Sequence, residues 1–372
     1  DAVRAGDDSN VNLGQIGKPT ILPSSFTGSE RYMCEKYQDA MAICRRYGRP
    51  HLFVTMTCNP DWAEIRYQLK LGQNAVNRPD ICCRVFKLKH QELMKDITQR
   101  HVFGRVVANV HSIEFQKRGF PHAHILIWFK DKHHLTVQTI DHIISAEIPD
   151  QYLRDTNDIN PVYNMVTKSM IHGPNCTKRN LGCSYNGVCK YHYPQKYESQ
   201  TIIEEDNYAR YRRRSPEEGG NQYIKYINNM KHIITNADVV PYSPWLIKKY
   251  DCHINVEYVH SVKSIKYVFK YIMKGSDQAI VTIEKAKKTN QSDTARVQAK
   301  APPRDEIKEY ETKRYVSSVE ACWRLFGFDM TGLYPKVEAL PVHVPGAQTI
   351  YFDPDSTDLA VAEAKLENSA RT

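Results

Sequence analysis

The sequence predicts an α+β fold, with a central antiparallel sheet flanked by helices and a small zinc-held insertion. Residues 106–115 and 122–129 are apolar, β-branched runs separated by Gly119 and Pro121, which is the pattern of a hairpin. Helix-spaced apolar residues precede this hairpin, and a cluster of cysteines follows it. A hairpin that follows a strand and two helices is typical of helices packed on an antiparallel sheet.

The elements before the hairpin follow from local signals. Ser29 is a helix cap, and apolar residues at helical spacing extend the helix to about Tyr47. Residues 48–50 end that helix, and residues 51–57 form a buried strand. Residues 59–61 break the strand and begin a helix in which Trp62 and Ile65 face inward. A further helix is predicted over residues 81–98, with Val85, Leu88 and Ile97 on its apolar side.

The second half of the chain is less regular. Residues 198–235 are polar and are predicted to be largely loop, whereas residues 253–259 alternate as a strand does. Residues 335–352 resemble a strand pair. A helix is predicted over residues 310–327, with Tyr315, Val316, Val319, Cys322, Trp323 and Leu325 on or near one side.

Composition places the chain among globular proteins. It has 372 residues, of which 41% are hydrophobic and 25% charged. The net charge of +9 is a weak indication of an anionic partner. We find neither a transmembrane run of about 20 apolar residues nor a secretory leader. Because the first residue is Asp1 and not Met, we expect a piece of a longer polypeptide.

The hairpin places metal-ligand types on one face of the sheet. His122 and His124 are two residues apart on a strand, so both side chains point the same way. Glu114 and Gln116 share a face of the preceding strand. If Gln116 pairs with His122, Glu114 lies opposite His124. Two imidazoles with a carboxylate or amide oxygen favour a divalent-metal site, although two histidines near a turn are also common as plain polar residues.

Two tyrosines far downstream form a second motif. Tyr267 and Tyr271 are four residues apart, so on a helix they lie on one face, and Lys270 and Lys274 each follow a tyrosine by three positions. A tyrosine hydroxyl is a covalent nucleophile when a metal polarises the phosphate and cations stabilise the developing charge. The alternative is an amphipathic helix with half-buried tyrosines and solvated lysines.

Residues 165–197 contain a third motif of cysteines and histidines among Gly, Pro and Asn. This composition indicates a small loop held by structural zinc, with His192 as an alternative to His172 and disulfides as the competing interpretation. The other cysteines lack regular spacing, and a chain without a leader favours a reducing compartment, where clustered cysteines more often bind metal. The predicted ligands are His172, Cys176, Cys183 and Cys189.

A basic run interrupted by tyrosines follows the cysteines. Guanidinium groups bind phosphates and aromatic rings stack on bases, so this run predicts a single-strand DNA contact. A solvated surface loop explains it equally well. The candidate DNA-binding residues are Arg210, Arg212, Arg213 and Arg214.

Together these motifs resemble the HUH family of single-strand DNA nickases, and within it the replication-initiator domain of Helitron transposases. His122-Ala-His124 matches the paired histidines of that family, and Tyr267 with Tyr271 matches its two-tyrosine form. The resemblance also favours His172 over His192 as a zinc ligand. Further landmarks in the expected order are residues 21–28, 53–60 with Trp62, 78–80, 171–174, 239–242 and 253–257.

The resemblance implies a function. A single DNA strand would be nicked and transferred through a 5′-phosphotyrosine, with Mg²⁺ or Mn²⁺ at the histidines, as in rolling-circle transposition. It also implies a C-terminal helicase domain in the same polypeptide, a nuclear location, and no membrane partner. The chain itself has no Gly-x4-Gly-Lys-Ser/Thr loop, so we expect no ATP hydrolysis here.

The predicted organisation has four segments. Residues 1–28 form a linker or fragment edge, and residues 29–280 form the nickase domain that includes the zinc insertion. Residues 281–308 are rich in Lys, Ala and Gln and form a mobile linker or insertion, and residues 309–372 lead toward the helicase. Two alternatives stay open, namely a non-catalytic single-stranded DNA-binding remnant and a zinc hydrolase that uses the paired histidines.

Overall fold

The structure is a computed structural model of the chain. It describes residues 21–27, 29–115, 119–131, 135–156, 158–174, 176, 183–203, 209–259 and 316–338. Contacts divide the chain into a unit of residues 1–335 and a unit of residues 336–372, and only residues 336–338 of the second are described. The predicted tyrosine helix and the linker at residues 281–308 lie outside the described residues.

A five-stranded antiparallel sheet forms the centre of the first unit, which confirms the α+β prediction. The strand order is β8-β1-β3-β2-β9, so the strand that contains both histidines lies in the middle. The strands of this sheet are β1 (Leu52–Thr57), β2 (Val106–Phe115), β3 (Pro121–Phe129), β8 (Ile254–Tyr258) and β9 (Thr331–Tyr334).

Helices and two small hairpins surround the sheet. The hairpin strands are β4 (Ser184–Tyr185), β5 (Val188–Cys189), β6 (Tyr223–Ile227) and β7 (Met230–Ile234). The helices of the described residues are α1 (Glu30–Tyr47), α2 (Ala63–Arg66), α3 (Pro79–Thr98), α4 (Val137–Ile143), α5 (Pro161–Ser169), α6 (Pro244–Tyr250) and α7 (Ser318–Leu325).

The main core lies on the face of the sheet away from the histidines. Ile125 and Ile127 of β3 point to this side, where α3 contributes Phe86 and α7 contributes Trp323, all fully buried. The Phe86 and Trp323 rings lie 6.1 Å apart, and the Cys83 thiol of α3 donates to the Val319 carbonyl of α7. Buried apolar side chains of this size dominate the stabilisation of a domain.

Helix α1 covers part of the opposite face. Its predicted cap is confirmed, because the Ser29 hydroxyl accepts a hydrogen bond from the Tyr32 amide. The Tyr32 hydroxyl lies 3.0 Å from the Thr331 hydroxyl of β9, and the Trp128 indole donates to the Gly48 carbonyl at the end of α1. The helix therefore packs over this face of the sheet between Thr331 of β9 and the Trp128 end of β3.

Some expectations about which residues face the core are wrong. Leu88 is 65% exposed and Leu325 is 84% exposed. Helix α3 begins at Pro79 and buries Cys82, Phe86 and Leu93. Leu88 follows Phe86 by two positions, which places it about 200° round the helix from that buried ring.

Two regions that form strands were not predicted from the sequence. Residues 198–235 contain the β6–β7 hairpin, whose turn residues Asn228 and Asn229 have φ of 50° and 60°. Two left-handed residues form a type I′ hairpin turn, and this Asn-Asn pair between alternating runs was the available signal. The edge strand β9 is only four residues long and pairs with β2. Residues 335–338 form no strand, and residues 339–352 lie outside the described residues.

Two histidines face each other between α3 and β2. The rings of His90 and His111 have centroids 4.9 Å apart, and His90 Nε2 and His111 Nδ1 are buried without a hydrogen-bond partner among the described residues. Burial, assisted by the charge of Lys87, lowers the pKa of His111 from 6.5 to about 4, against a smaller opposing effect of Asp329. Burial also lowers the pKa of His90 well below its ordinary value, and the charges of His111 and Lys87 add to that effect.

We expect the core contact of α3 to be decisive for stability. Phe86→Ala should lower the free energy of unfolding by about 3–5 kcal/mol, because a fully buried ring leaves a cavity. Leu88→Ala on the same helix should change it by less than about 0.5 kcal/mol. Urea denaturation of both variants measures the difference, and equal losses would contradict the packing.

We also expect acid to destabilise the fold through the histidine pair. The folded-state pKa of His111, about 4, lies below its unfolded value of 6.5, so the unfolded chain binds more protons in this window. The contribution of His111 to stability is therefore fully present above pH 6.5 and is lost as the pH falls toward 4. His111→Phe should flatten this decline by up to about 1.4 kcal/mol per pH unit, because it removes the group that takes up the proton. Denaturation between pH 7 and 4 measures it, and an unchanged slope would refute the role of the pair.

Candidate metal and nucleic-acid site

The register of the β2–β3 hairpin decides which groups meet the histidines. Glu114 lies directly opposite His122, and Ser112 lies opposite His124. The expected register, with Gln116 opposite His122 and a turn at residues 117–121, is wrong by two residues, because Phe115 pairs with Pro121. A shift of two residues keeps every side chain on its face, so Glu114 still lies beside the histidines. Gln116 lies outside the described residues.

Both imidazoles are buried and are held from the neighbouring strand. Strand β1 places Thr57 opposite His122 and Thr55 opposite His124. The Thr57 hydroxyl lies 2.8 Å from His122 Nδ1, and the Thr55 hydroxyl lies 3.2 Å from His124 Nδ1. The two histidines are 6% and 7% exposed. Their Nδ1 atoms therefore face β1, which leaves Nε2 as the ligand atom of each ring.

Glu114 approaches the second histidine diagonally across the hairpin. Its Oε2 lies 3.1 Å from His124 Nε2. A carboxylate and an imidazole nitrogen at this distance share either a proton or a cation, since both atoms otherwise present lone pairs. The Phe53 ring stacks on His124 with centroids 5.7 Å apart and fixes the plane of the imidazole.

Burial keeps His122 neutral. It lowers the pKa of His122 to about 3, with smaller contributions in the same direction from His124 and His253 and an opposing one from Glu114. His253, whose Nδ1 lies 3.4 Å from the Thr57 hydroxyl, also has a pKa lowered by burial. A neutral imidazole is the form that binds metals.

The donor set fits a divalent cation. Two neutral imidazoles and a carboxylate leave open positions for water and substrate oxygens. Two buried polar atoms on the same face, Ser112 Oγ and Asn255 Oδ1, have no hydrogen-bond partner among the described residues, so the face can take up further polar groups. Among the described residues, the group of three or more ligand side chains gathered closely enough to hold a metal is the sulfur cluster of the insertion, and Glu114, His122 and His124 are not part of it.

That sulfur cluster forms from all four predicted residues. The ligand atoms of His172, Cys176, Cys183 and Cys189 lie within 4.8 Å of one another. His172 Nε2 lies 3.5 Å from the sulfurs of both Cys183 and Cys189. A tetrahedral zinc with ordinary bond lengths separates nitrogen from sulfur by about 3.6 Å, so the distances from His172 to Cys183 and Cys189 match zinc coordination.

Local structure explains how these four residues meet. The β4–β5 hairpin turns at Asn186 and Gly187, whose φ of 49° and 74° again give a type I′ turn, and it brings Cys183 beside Cys189. The His172 ring stacks on Tyr193 with centroids 4.2 Å apart. The His172 amide donates to the Asp238 carbonyl, which attaches the insertion to the rest of the unit.

The pKa values of two cluster thiols shift in opposite directions. Burial and the neighbouring thiols raise the pKa of Cys176 to about 12. Burial raises the pKa of Cys189, but amide donors from Tyr193 and Tyr191 and the neighbouring thiols outweigh it, so the net shift is downward. All ten cysteines are free thiols. His192 is exposed and lies outside the cluster.

The arginine run divides into one interior residue and three surface residues. Arg213 is 4% exposed and donates to the carbonyls of Val239, Asn236 and Ala146, so its prediction as a DNA contact is wrong. A buried guanidinium must pair with acceptors of the fold, and carbonyls are the acceptors here. The other three have half-exposed side chains paired with acids: Arg210 with Glu198, and Arg212 and Arg214 with Glu147.

The remaining predicted residues stay untested by the structure. Tyr267, Tyr271, Lys270 and Lys274 lie outside the described residues. Thr55 and Thr57 are site residues that sequence reasoning missed. The alternation of side chains along β1 could have predicted them, because it places both threonines on one face of a strand next to the hairpin.

The described geometry defines an α+β domain with paired histidines on an antiparallel sheet and a Cys/His cluster beside it. Residues 1–127 match the family model described as the Helitron helicase-like domain at the N-terminus. This match spans 127 of 372 residues, includes β1 and both histidines, and confirms the resemblance to Helitron proteins. It supports a Helitron-related function. The chain matched no curated protein. None of the described helices is long and apolar enough to cross a membrane.

We predict that the sulfur cluster holds one zinc ion. Cys183→Ser should remove the metal and lower the melting temperature, because a structural zinc stabilises the fold that binds it. Elemental analysis and thermal unfolding measure both effects. Cys34→Ser, which changes an exposed thiol, and His192→Ala should keep about one zinc per chain. A wild-type chain that folds stably without zinc would remove the assignment.

Proposed function

We propose that the chain is an HUH-type endonuclease that nicks single-stranded DNA and transfers the strand through a tyrosine. The observation that carries this proposal is the placement of His122 and His124 on one sheet face with the Glu114 carboxylate 3.1 Å from His124 Nε2. The Helitron family match over residues 1–127 supports the same class. The role of Tyr267 and Tyr271 as nucleophiles is inferred from their spacing in the sequence and from the family resemblance.

The paired histidines and Glu114 would hold Mg²⁺ or Mn²⁺, with Gln116 as the alternative third ligand. When bound, the cation polarises the phosphoryl oxygens of the scissile group. The protein side chains position the two imidazole ligands. Glu114 holds the ring of His124 by its carboxylate, and burial keeps His122 unprotonated and able to bind at neutral pH.

The chemical step would be an in-line displacement at phosphorus. The hydroxyl oxygen of Tyr267 or Tyr271 forms a bond to phosphorus and loses its proton, while the bond from phosphorus to the 3′ oxygen breaks. The leaving 3′ oxygen takes up a proton. The products are a 5′-phosphotyrosine and a free 3′-hydroxyl, and attack by a 3′-hydroxyl reverses the step. Two tyrosines permit two such bonds at once.

Cationic side chains would bind the phosphates of the strand. Lys270 and Lys274 are proposed next to the tyrosines, where they would stabilise the charge on the phosphate or on the phenolate. Arg210, Arg212 and Arg214 have exposed guanidinium groups whose acidic partners neutralise them only in part. The Arg210–Glu198 pair is half exposed and therefore weak, so a DNA phosphate can replace that acid. The buried carboxylate of Glu147 is shared by Arg212 and Arg214, so one positive charge remains there for a phosphate.

The wider assignments rest on the resemblance. We propose a structural zinc in the insertion at residues 165–197, a nickase domain at residues 29–280, and a helicase domain as a partner in the same polypeptide. A transposase of this kind acts in the nucleus. The competing functions, a DNA-binding remnant and a metal hydrolase, differ in whether a covalent protein–DNA bond forms.

A covalent-adduct assay tests the proposal. The chain, labelled single-stranded oligonucleotides of varied sequence and Mn²⁺ should give a DNA-shifted protein band on a denaturing gel. Tyr267→Phe/Tyr271→Phe and His122→Ala/His124→Ala should each lower adduct formation at least about 100-fold, because each removes a group that acts in the transition state.

The two double variants separate the alternatives. The histidine variant should keep most of its affinity for single strands, because phosphate contacts dominate non-specific binding. Strand binding with no adduct on any sequence would favour the binding remnant. Metal-dependent cleavage with no covalent bond would favour a hydrolase.

A further inference from the structure

We infer that Thr55 and Thr57 of β1 are positioning residues that fix which nitrogen of His124 and His122 faces a divalent cation. This inference rests on the proposed metal site but concerns residues to which neither the sequence motifs nor the family match gives a role. Both threonines lie in exact cross-strand register with the histidines, Thr55 opposite His124 and Thr57 opposite His122.

The contacts repeat along the strand pair. Thr57 Oγ1 lies 2.8 Å from His122 Nδ1, and Thr55 Oγ1 lies 3.2 Å from His124 Nδ1. Two equivalent hydroxyl contacts, two residues apart on both strands, orient the two rings in the same way. Each imidazole therefore presents its Nε2 atom away from β1.

The strand that bears the threonines is held on both sides. β1 pairs with β3 on one side and with β8 on the other, so its backbone has little freedom to move. A β-branched side chain on such a strand has few accessible rotamers. The hydroxyls are thus fixed with respect to the histidine rings before any metal arrives.

A hydroxyl suits this position because it both donates and accepts. A histidine that binds metal through Nε2 has its proton on Nδ1, and the threonine oxygen accepts that hydrogen bond. Without metal, the Glu114 carboxylate at 3.1 Å favours a proton on His124 Nε2, and the Thr55 hydroxyl then donates to Nδ1. The threonine satisfies a buried nitrogen in both states.

Replacing the hydroxyl by a methyl group removes the acceptor. The Nδ1–H of a metal-bound imidazole would then be buried without a partner, which costs free energy only in the bound state. Hydrogen-bond partners of metal-bound imidazoles contribute about 10–100-fold to metal affinity. We expect Thr57→Val and Thr55→Val each to weaken Mn²⁺ binding by about 10–100-fold.

The experiment compares valine and serine at both positions. Mn²⁺ titration followed by electron paramagnetic resonance gives the affinity, and ¹⁵N NMR of the imidazoles reports the tautomer of His122 and His124 in metal-free protein. Thr→Ser keeps the hydroxyl and should retain affinity within about threefold of wild type, a change below 1 kcal/mol. Thr98→Val, whose hydroxyl donates only to the Met94 carbonyl in α3, is the matched control for loss of a threonine hydroxyl.

The outcomes separate this inference from the proposed function. His122→Ala/His124→Ala gives the baseline for Mn²⁺ bound elsewhere, and a wild-type chain at that baseline refutes the metal site itself. Valine variants with wild-type affinity and unchanged ¹⁵N shifts refute the positioning role. If a valine variant unfolds, the serine variant still decides, because a folded serine variant that binds Mn²⁺ about 10-fold or more weakly than wild type shows that the hydroxyl is not what matters.

Discussion

Hydrogen bonding of β3 between β1 and β2 is the constraint on which the rest of the structure depends. Strand β3 is buried along its whole length, and its two faces contact different parts of the domain. Ile125 and Ile127 pack into the main core, whereas His122 and His124 point to the other face. Because the alternation is strict, the backbone pairing that builds the core also aligns both imidazoles.

Burying polar groups in the centre of a sheet requires a partner for each of them. Thr55 and Thr57 supply hydroxyls to the two Nδ1 atoms, and Glu114 supplies a carboxylate to His124. Each contact comes from a neighbouring strand and not from the same strand. The site is therefore a property of three paired strands, and it stays organised only while that pairing is intact.

The Cys/His insertion depends on the unit in a similar way. His172 stacks on Tyr193, whose hydroxyl donates to the Val239 carbonyl, and Arg213 donates to the same carbonyl. The buried guanidinium thus stabilises the segment to which the insertion is attached. This is why one arginine of a basic run lies inside while its neighbours Arg212 and Arg214 pair with Glu147 at the surface.

The sequence by itself determined the strands of the hairpin, the cap at Ser29 and the shared face of His122 and His124, because each follows from spacing between near neighbours. It also identified the three cysteines of the Cys/His cluster, since they are near neighbours in the chain, whereas the choice of His172 over His192 rested on the family resemblance. Tertiary structure decided what long-range contacts control: the pairing of Glu114 with His122, the burial of Arg213, the exposure of Leu88, and the threonines of β1 beside the histidines. Strand register and burial depend on residues far apart in the chain, and no local pattern encodes those distances.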